Sequence, residues 1–371
     1  MKMIKRAGLT RTGSAFGGTL IAGLGLAFFP DPAAAQAANG SAVTDSVTKV
    51  VGTAEGTPDQ PVAVEHDAEN GTFALVFEND YFADTDRHYT NGFRFSYMTP
   101  PGNDPQWLRD AVGVIPFTGF GGDIRVVWSL GQNMYTPRDT SLRNPDPDDR
   151  PYAGWLYGSV GVIAETGGVL DQIELSLGIV GPSSLAEQTQ KGVHELISSD
   201  DPQGWDTQLK DEPIVQLTYQ KSWRALAAGS AWGFAADVTP HAGFALGNAF
   251  TYANTGVTFR LGQDLPRDYG PPRISPSLPG STYFRPTDSW GWYLFAGVDG
   301  RAVARNIFLD GNTWKDSRSV DKKPLVGDLQ AGLAITINGT RIAYTHVIRS
   351  KEFDGQDQHD EFGALSVSFN F

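Results

Sequence analysis

The sequence predicts an all-β chain, a twelve-stranded antiparallel transmembrane β-barrel with a short helix in one extracellular loop. Three observations carry that expectation. Apolar and polar residues alternate with period two from Thr72 onward, the first residues have the layout of an export leader, and the last strand ends on Phe371. Alternation of this kind turns one face of every strand toward hydrocarbon and the other toward a lumen.

The leader comes first. Lys2, Lys5, Arg6 and Arg11 make a basic start, and an uncharged, glycine-rich apolar stretch runs from Thr12 to Pro30. Ala33-Ala34-Ala35, or alternatively Ala35-Gln36-Ala37, offers the small residues a signal peptidase reads. Residues 1–35 therefore read as a cleaved signal peptide. The other reading is a retained anchor, but a spanning helix needs about 20 apolar residues and this stretch is short and diluted by glycine. Residues 36–71 are small and polar (Asn39-Gly40-Ser41, Gly56-Thr57-Pro58-Asp59) with no period, as expected of a flexible periplasmic lead-in.

Without the leader the chain holds 25 basic and 41 acidic side chains, a net charge of −16. That balance argues against a nucleic-acid partner, whose phosphates demand Lys and Arg, and suits a surface that shares divalent cations with other anions. Cysteine is absent, which removes disulfide and thiolate chemistry. Aromatics at 11% and 43 glycines point to many strands and turns.

Residues 72–371 form the expected barrel. Its strands fall near 73–78, 89–98, 123–133, 153–165, 168–180, 213–223, 231–244, 248–262, 289–304, 325–337, 340–350 and 361–371. In the first, Phe73, Leu75 and Phe77 alternate with Ala74, Val76 and Glu78. In the second, Tyr89, Asn91, Phe93, Phe95 and Tyr97 alternate with Thr90, Gly92, Arg94 and Ser96. Asn338-Gly339 is a two-residue turn signal between the tenth and eleventh strands. A soluble β-sandwich is the rival architecture, yet it would not need so many strands of this length, and a bilayer forces closure because no unpaired edge can face lipid. An even strand number places the loops after odd strands at one end, the extracellular mouth. Two loops at the opposite end, 99–122 and 263–288, are long for periplasmic turns, and the alternation gives no reason for them.

Chemistry-bearing residues gather in the odd loops. Asp80 shares the parity of Glu78 and Val76, and Thr90 that of Gly92 and Arg94, so both are expected to point inward at the rim. A carboxylate and a hydroxyl converging from adjacent strands would suit a hard cation such as calcium, whereas a surface turn in which Asn79 and Asp80 satisfy backbone groups fits the same residues. Of six histidines, His194 alone follows a capping-box pattern, Ser184-Leu185-Ala186-Glu187, which predicts a short helix. Gln190 and His194 would share one face of it. His194 is read as an exposed loop position, and a loop histidine can equally be merely solvated.

Three ordered blocks carry a family resemblance: Glu78-Asn79-Asp80-Tyr81-Phe82 with Thr85 to Gly92; Asp149-Arg150-Pro151-Tyr152-Ala153-Gly154-Trp155; and Gly181-Pro182 through Gln190, His194, Gly204-Trp205 and Gln208-Leu209 to Glu212-Pro213. Together they resemble the lipid A 3′-O-deacylase outer-membrane family, twelve-stranded barrels that need calcium. The blocks reach from the first strand to the sixth, and the C-terminal half matches in strand pattern alone. The resemblance implies a monomeric carboxylic ester hydrolase that removes the 3′-linked acyl(oxyacyl) chain of lipid A, or of the lipopolysaccharide that carries it, within the outer-membrane bilayer. It implies that His194 is the general base of a site with Asp80, Asn79 and Thr90. Calcium would be held by Asp80, Thr90 and Asp200, and substrate by Gln190 and Arg143. Arg94 and Arg150 are further basic residues near the mouth, each equally able to be a salt-bridged rim residue. Trp205, Gln208 and Glu212 read chiefly as loop anchors. A catalytically silent barrel, a porin or adhesin on the same scaffold, remains the alternative.

Overall fold

The computed structural model describes residues 71–80, 88–122, 124–197, 201–270, 283–285 and 290–371. The expected signal peptide, the lead-in up to residue 70, and Asp200 lie outside the described residues. So does the side chain of Thr90, although its backbone is described.

Twelve strands make the wall: β1 Thr72–Asn79, β2 His88–Met98, β3 Ile124–Thr136, β4 Ala153–Thr166, β5 Val169–Val180, β6 Glu212–Trp223, β7 Phe234–Gly247, β8 Phe250–Gln263, β9 Trp290–Asn306, β10 Leu325–Ile337, β11 Thr340–Arg349 and β12 Asp360–Asn370. Each pairs antiparallel with its neighbours. β1 pairs with β12 and β6 with β7, so the twelve-stranded wall closes on itself, as a bilayer requires. Every expected strand is present, most within a residue or two. The seventh starts at Phe234 rather than 231, because Trp232 and Gly233 take left-handed φ values of 55° and 80° and turn the chain there. The residues ahead of that turn, Ala227–Ala231, form a short strand against the start of β7.

The alternation sorts the faces as expected. Leu75, Phe95, Trp128, Leu175, Leu261, Leu294, Leu329 and Leu365 are exposed on the outer face. Across the seam, Phe371 stacks on Phe73 with ring centroids 5.0 Å apart. The lumen is filled rather than open. Arg94 Nη2 donates to Glu174 at 2.5 Å and to Ser129 at 3.0 Å. Arg301 and Arg349 share Asp328, and His241 meets Asp299 at 2.9 Å. Nearer the extracellular end, Tyr135, Trp155, Tyr157 and Phe308 cluster with other apolar side chains.

The two long connections at the periplasmic end have separate jobs. The first carries α1, Gln106–Gly113, which lies outside the wall. Its Val112, with Phe120, packs on Ile124, Val162 and Ala164, all in the outward register. The second turns inward. Its Asp268 is buried and accepts hydrogen bonds from Tyr293 (2.6 Å), Arg341 (2.8 Å) and Arg260. Tyr283 joins Met98, Val127, Ile163 and Leu170 in a core inside the barrel, with Tyr269 against it. The strand count was therefore right, and the length of these loops reflects one outer cover and one inner plug. At the extracellular end, α2 spans Ala186–Ile197 and α3 spans Ile307–Asp310.

Candidate active site

In the outward register of the wall, the extracellular ends of β1 to β4 break the lipid-facing pattern. Asn79 pairs with Asn91, Asn91 with Met134, and Met134 with Gly154. Phe93 pairs with Gln132 one step lower. Asn91, Gln132 and Met134 are buried, whereas Trp128 and Leu130 further along the same face of β3 are exposed. Polar side chains cannot face hydrocarbon without cost, so this end of the wall must be covered.

The cover is α2. It contacts β3 and β4, and its Ala186 joins Met134, Tyr152 and Trp205 in one apolar cluster. Gly154 makes the close approach possible: a Cβ there would lie 2.2 Å from both Ala186 Cβ and Ser184 Oγ. Gln132 Nε2, from the wall, donates to Ser184 O at 2.6 Å. The start of the helix differs from the expected capping box. Leu185 adopts a left-handed φ of 61°, which ends a short turn over Pro182–Ser184 and sets the helix going at Ala186. Ser184 Oγ is thereby aimed at Gly154 and makes no hydrogen bond among the described residues. Glu187 instead pairs with Lys191 at 2.6 Å, one turn on.

Gln190 and His194 do share a face, and it is the buried one: Gln190 is 2% exposed and His194 7%. The expectation that His194 is an exposed loop residue is corrected by this burial, because the helix folds back on the wall instead of standing in solvent. Trp205 Nε1 donates to Gln190 Oε1 at 2.8 Å. An indole can only donate, so the amide oxygen must face Trp205 and the NH2 group must face away. That Nε2 is buried and has no hydrogen-bond partner among the described residues. Trp205 itself packs on Tyr152 at 4.9 Å between ring centroids, and Leu209 N donates to Tyr152 O at 2.9 Å. The anchor role read for Trp205 thus has a specific content: it orients Gln190.

The base of this long loop is tied down. Ser183 N and Oγ donate to Asp211 at 2.8 and 2.7 Å. Glu212 accepts from Asn248, Asn312 and Thr313 N, which joins three extracellular loops at one carboxylate. Arg143 is exposed on the loop between β3 and β4. Its neighbour Leu142 presents its carbonyl oxygen to Gly204, beside Trp205, so this loop borders the same region. Arg94 and Arg150 do not. Arg94 belongs to the lumen pair with Glu174, and Arg150 is buried over Tyr135 and 3.4 Å from Glu352.

Strand parity does not extend to the first hairpin as expected. Alternation ends with β1 at Asn79, and Asp80 follows where the chain turns, 2% exposed. On β2 the register shifts between Tyr89 and Asn91, so Thr90 is the extra residue of a β-bulge. The inward direction expected of Asp80 and Thr90 therefore does not follow from strand alternation. The row that ends in Asn79 belongs to the outer face. Among the described residues no group of three His, Cys, Asp or Glu side chains is gathered as a metal cage. The described oxygen donors of the first hairpin include a buried carboxylate at Asp80 and the amide oxygen of Asn79, hard atoms that fit calcium better than zinc.

The sequence matches the family model described as "Outer membrane protein LpxR" over residues 25–371. Among solved structures, LpxR from Salmonella typhimurium superposes with a TM-score of 0.65 at 18% identity, covering 81% of this chain and 100% of that one. The β domain of the Bordetella autotransporter BrkA gives a TM-score of 0.42 at 10% identity, covering 82% and 100%. No curated protein sequence matches. The Salmonella structure shares the barrel fold.

Proposed function

Because the chain belongs to the LpxR outer-membrane protein family, we propose that it is a lipid A deacylase which hydrolyses the 3′-linked acyl(oxyacyl) ester in the outer leaflet. One observation carries the reading. Gln190 and His194 are buried on α2, whose Ala186 packs on Met134 of the outward face at the extracellular end, where polar residues replace lipid-facing ones. An ester at the base of a lipid acyl chain reaches that depth from the membrane side without entering the barrel.

His194 acts as the general base. It takes a proton from water, the water oxygen bonds to the acyl carbon, and the ester C–O bond breaks. The proton then passes to the departing sugar oxygen, leaving a fatty acid and a free hydroxyl. Proton transfer of this kind is worth about 10²–10⁴-fold. Gln190 Nε2, oriented by Trp205, supplies an N–H to the carbonyl or to the tetrahedral oxygen. Arg143, on the bordering loop, faces the anionic headgroup. Asp80, with Thr90 and Asp200, would hold a calcium ion, which when bound polarises the carbonyl as a Lewis acid. Asn79 completes the first hairpin of the site. Exclusion of bulk water by the helix against the wall strengthens each of these contacts.

The channel reading fares worse, since a network of ion pairs and an aromatic cluster fill the described lumen. The test uses purified, refolded protein with lipid A in mixed micelles, and released fatty acid is measured. Release that stops in chelator and returns with calcium supports the proposal. Release unchanged in excess chelator refutes the metal role, and no release under any condition refutes the deacylase.

A further inference from the structure

The first periplasmic connection does more than cover the wall. Leu108, Val112 and Ile115 face the barrel, packed on the outward residues near the periplasmic ends of β3 to β6. The connection is pinned by Gly119 N donating to Asp171 at 2.8 Å and by Lys221 Nζ donating to Phe117 O at 2.7 Å. On its other side, Trp107 is 68% exposed, Val114 79% and Phe117 94%. Phe117 holds a φ of 64°, a conformation bulky L-residues rarely adopt. The chain thus fixes an aromatic ring outward at a position where a polar residue or glycine would be easier. Burial inside the protein does not explain that choice.

The surroundings say what the ring meets. The covered residues Ile124 and Ala164 belong to the same outward rows as the exposed Trp128, Leu130 and, across β5, Leu175. Asp171 and Ala164 lie close to the turn at Gly167 and Gly168, which ends the wall on the periplasmic side. The exposed side chains of this connection therefore continue the lipid-facing belt at its periplasmic border. Gln106, Asp110 and the Arg109–Asp104 ion pair give the same segment a polar side. A short amphipathic element with Trp and Phe on one flank and charges on the other matches the headgroup–acyl boundary of a bilayer.

We propose that residues 105–122 are a membrane-surface element seated in the periplasmic leaflet, with Trp107, Val114 and Phe117 inserted among phospholipid acyl chains. The occupant is phospholipid, because the patch is continuous with the lipid-facing belt. The proposal is independent of the deacylase reading.

The absence of cysteine makes the test direct. Single substitutions Phe117→Cys and Val114→Cys are spin-labelled and refolded into vesicles of phosphatidylethanolamine and phosphatidylglycerol, with a heat-modifiable gel band as the check of folding. Leu329→Cys, on the lipid face of β10, is the hydrocarbon reference, and Lys351→Cys, exposed on the extracellular loop between β11 and β12, is the aqueous one. The label at 117 or 114 should collide with oxygen several-fold more than the loop label does, and with a water-soluble nickel chelate several-fold less. Nickel accessibility equal to that of the loop label at both positions overturns the proposal. Low accessibility to both reagents, with dipolar coupling between labelled chains, would overturn it in favour of a second copy of the protein covering this face.

Discussion

A methyl group at Gly154 should separate the wall from the site. In Gly154→Ala the new Cβ would lie 2.2 Å from Ala186 Cβ and from Ser184 Oγ. Ser184 Oγ makes no hydrogen bond among the described residues and can rotate away, but Ala186 Cβ is fixed to the helix backbone. Carbon atoms need about 3.5 Å, so α2 must lift by roughly 1.3 Å at its first turn. The overpacking should cost about 1–3 kcal/mol, confined to this contact. Misplacement of a catalytic group by about 1 Å costs on the order of 10²-fold in rate, and deacylation should fall by that factor while the barrel still runs as a heat-modifiable band. Amide exchange over residues 186–197 should accelerate in step. Adding Ala186→Gly removes the opposing methyl and should restore most of the activity, with about 1 kcal/mol lost to helix propensity. A Gly154→Ala protein with parental activity and exchange would refute the close-packed helix as the element that positions His194.

Four further outcomes follow from the same structure. His194→Ala should deacylate about 10²–10⁴-fold more slowly, with a larger loss of local stability than an exposed position would show, read by exchange across α2. Trp205→Phe should forfeit the 2.8 Å bond to Gln190, destabilise the loop by about 1 kcal/mol and lower kcat more than it raises KM; Gln190→Ala should then add little to it. Asp80→Ala should behave like the chelated protein and resist rescue by calcium, while magnesium should substitute poorly in the parent because it demands near-octahedral geometry; metal titration of fatty-acid release checks both. Glu174→Ala leaves Arg94 charged in the lumen without its 2.5 Å partner, which should cost about 3–5 kcal/mol in urea unfolding and leave the rate of folded protein unchanged.

How much of this was legible in the sequence depends on the physical signal. The strands were, because period two is a property of each strand alone, and even the hairpin at Asn338-Gly339 appears where expected. The two long connections were not: whether a loop folds into the lumen or along the wall depends on partners such as Asp171 or Arg341 that are distant in the chain. The helix of the third extracellular loop was expected, but its cap was misread, since the pattern Ser-x-x-Glu says nothing of the left-handed Leu185 that displaces Ser184. Gln190 and His194, expected on one face of a loop helix at the mouth, lie on its buried side, where Ala186 meets Met134 of the outward face. A usable signal that this helix packs outside the barrel was present. Asn79, Asn91 and Gln132 are polar in rows that should face lipid, and Gly154 sits beside them. Polar residues there announce a cover on the outside of the barrel. The bulge at Thr90 left no such trace, because one added residue is invisible until both strands are paired.

Mass spectrometry of lipid A tests the central claim most directly. Cells making the parental protein, cells making His194→Ala at equal outer-membrane level, and cells lacking it are compared. The account predicts that the parent alone yields lipid A lighter by the 3′-linked acyl(oxyacyl) group. Identical lipid A in all three, with the barrel correctly assembled, or loss of that group in the His194→Ala cells, would contradict it.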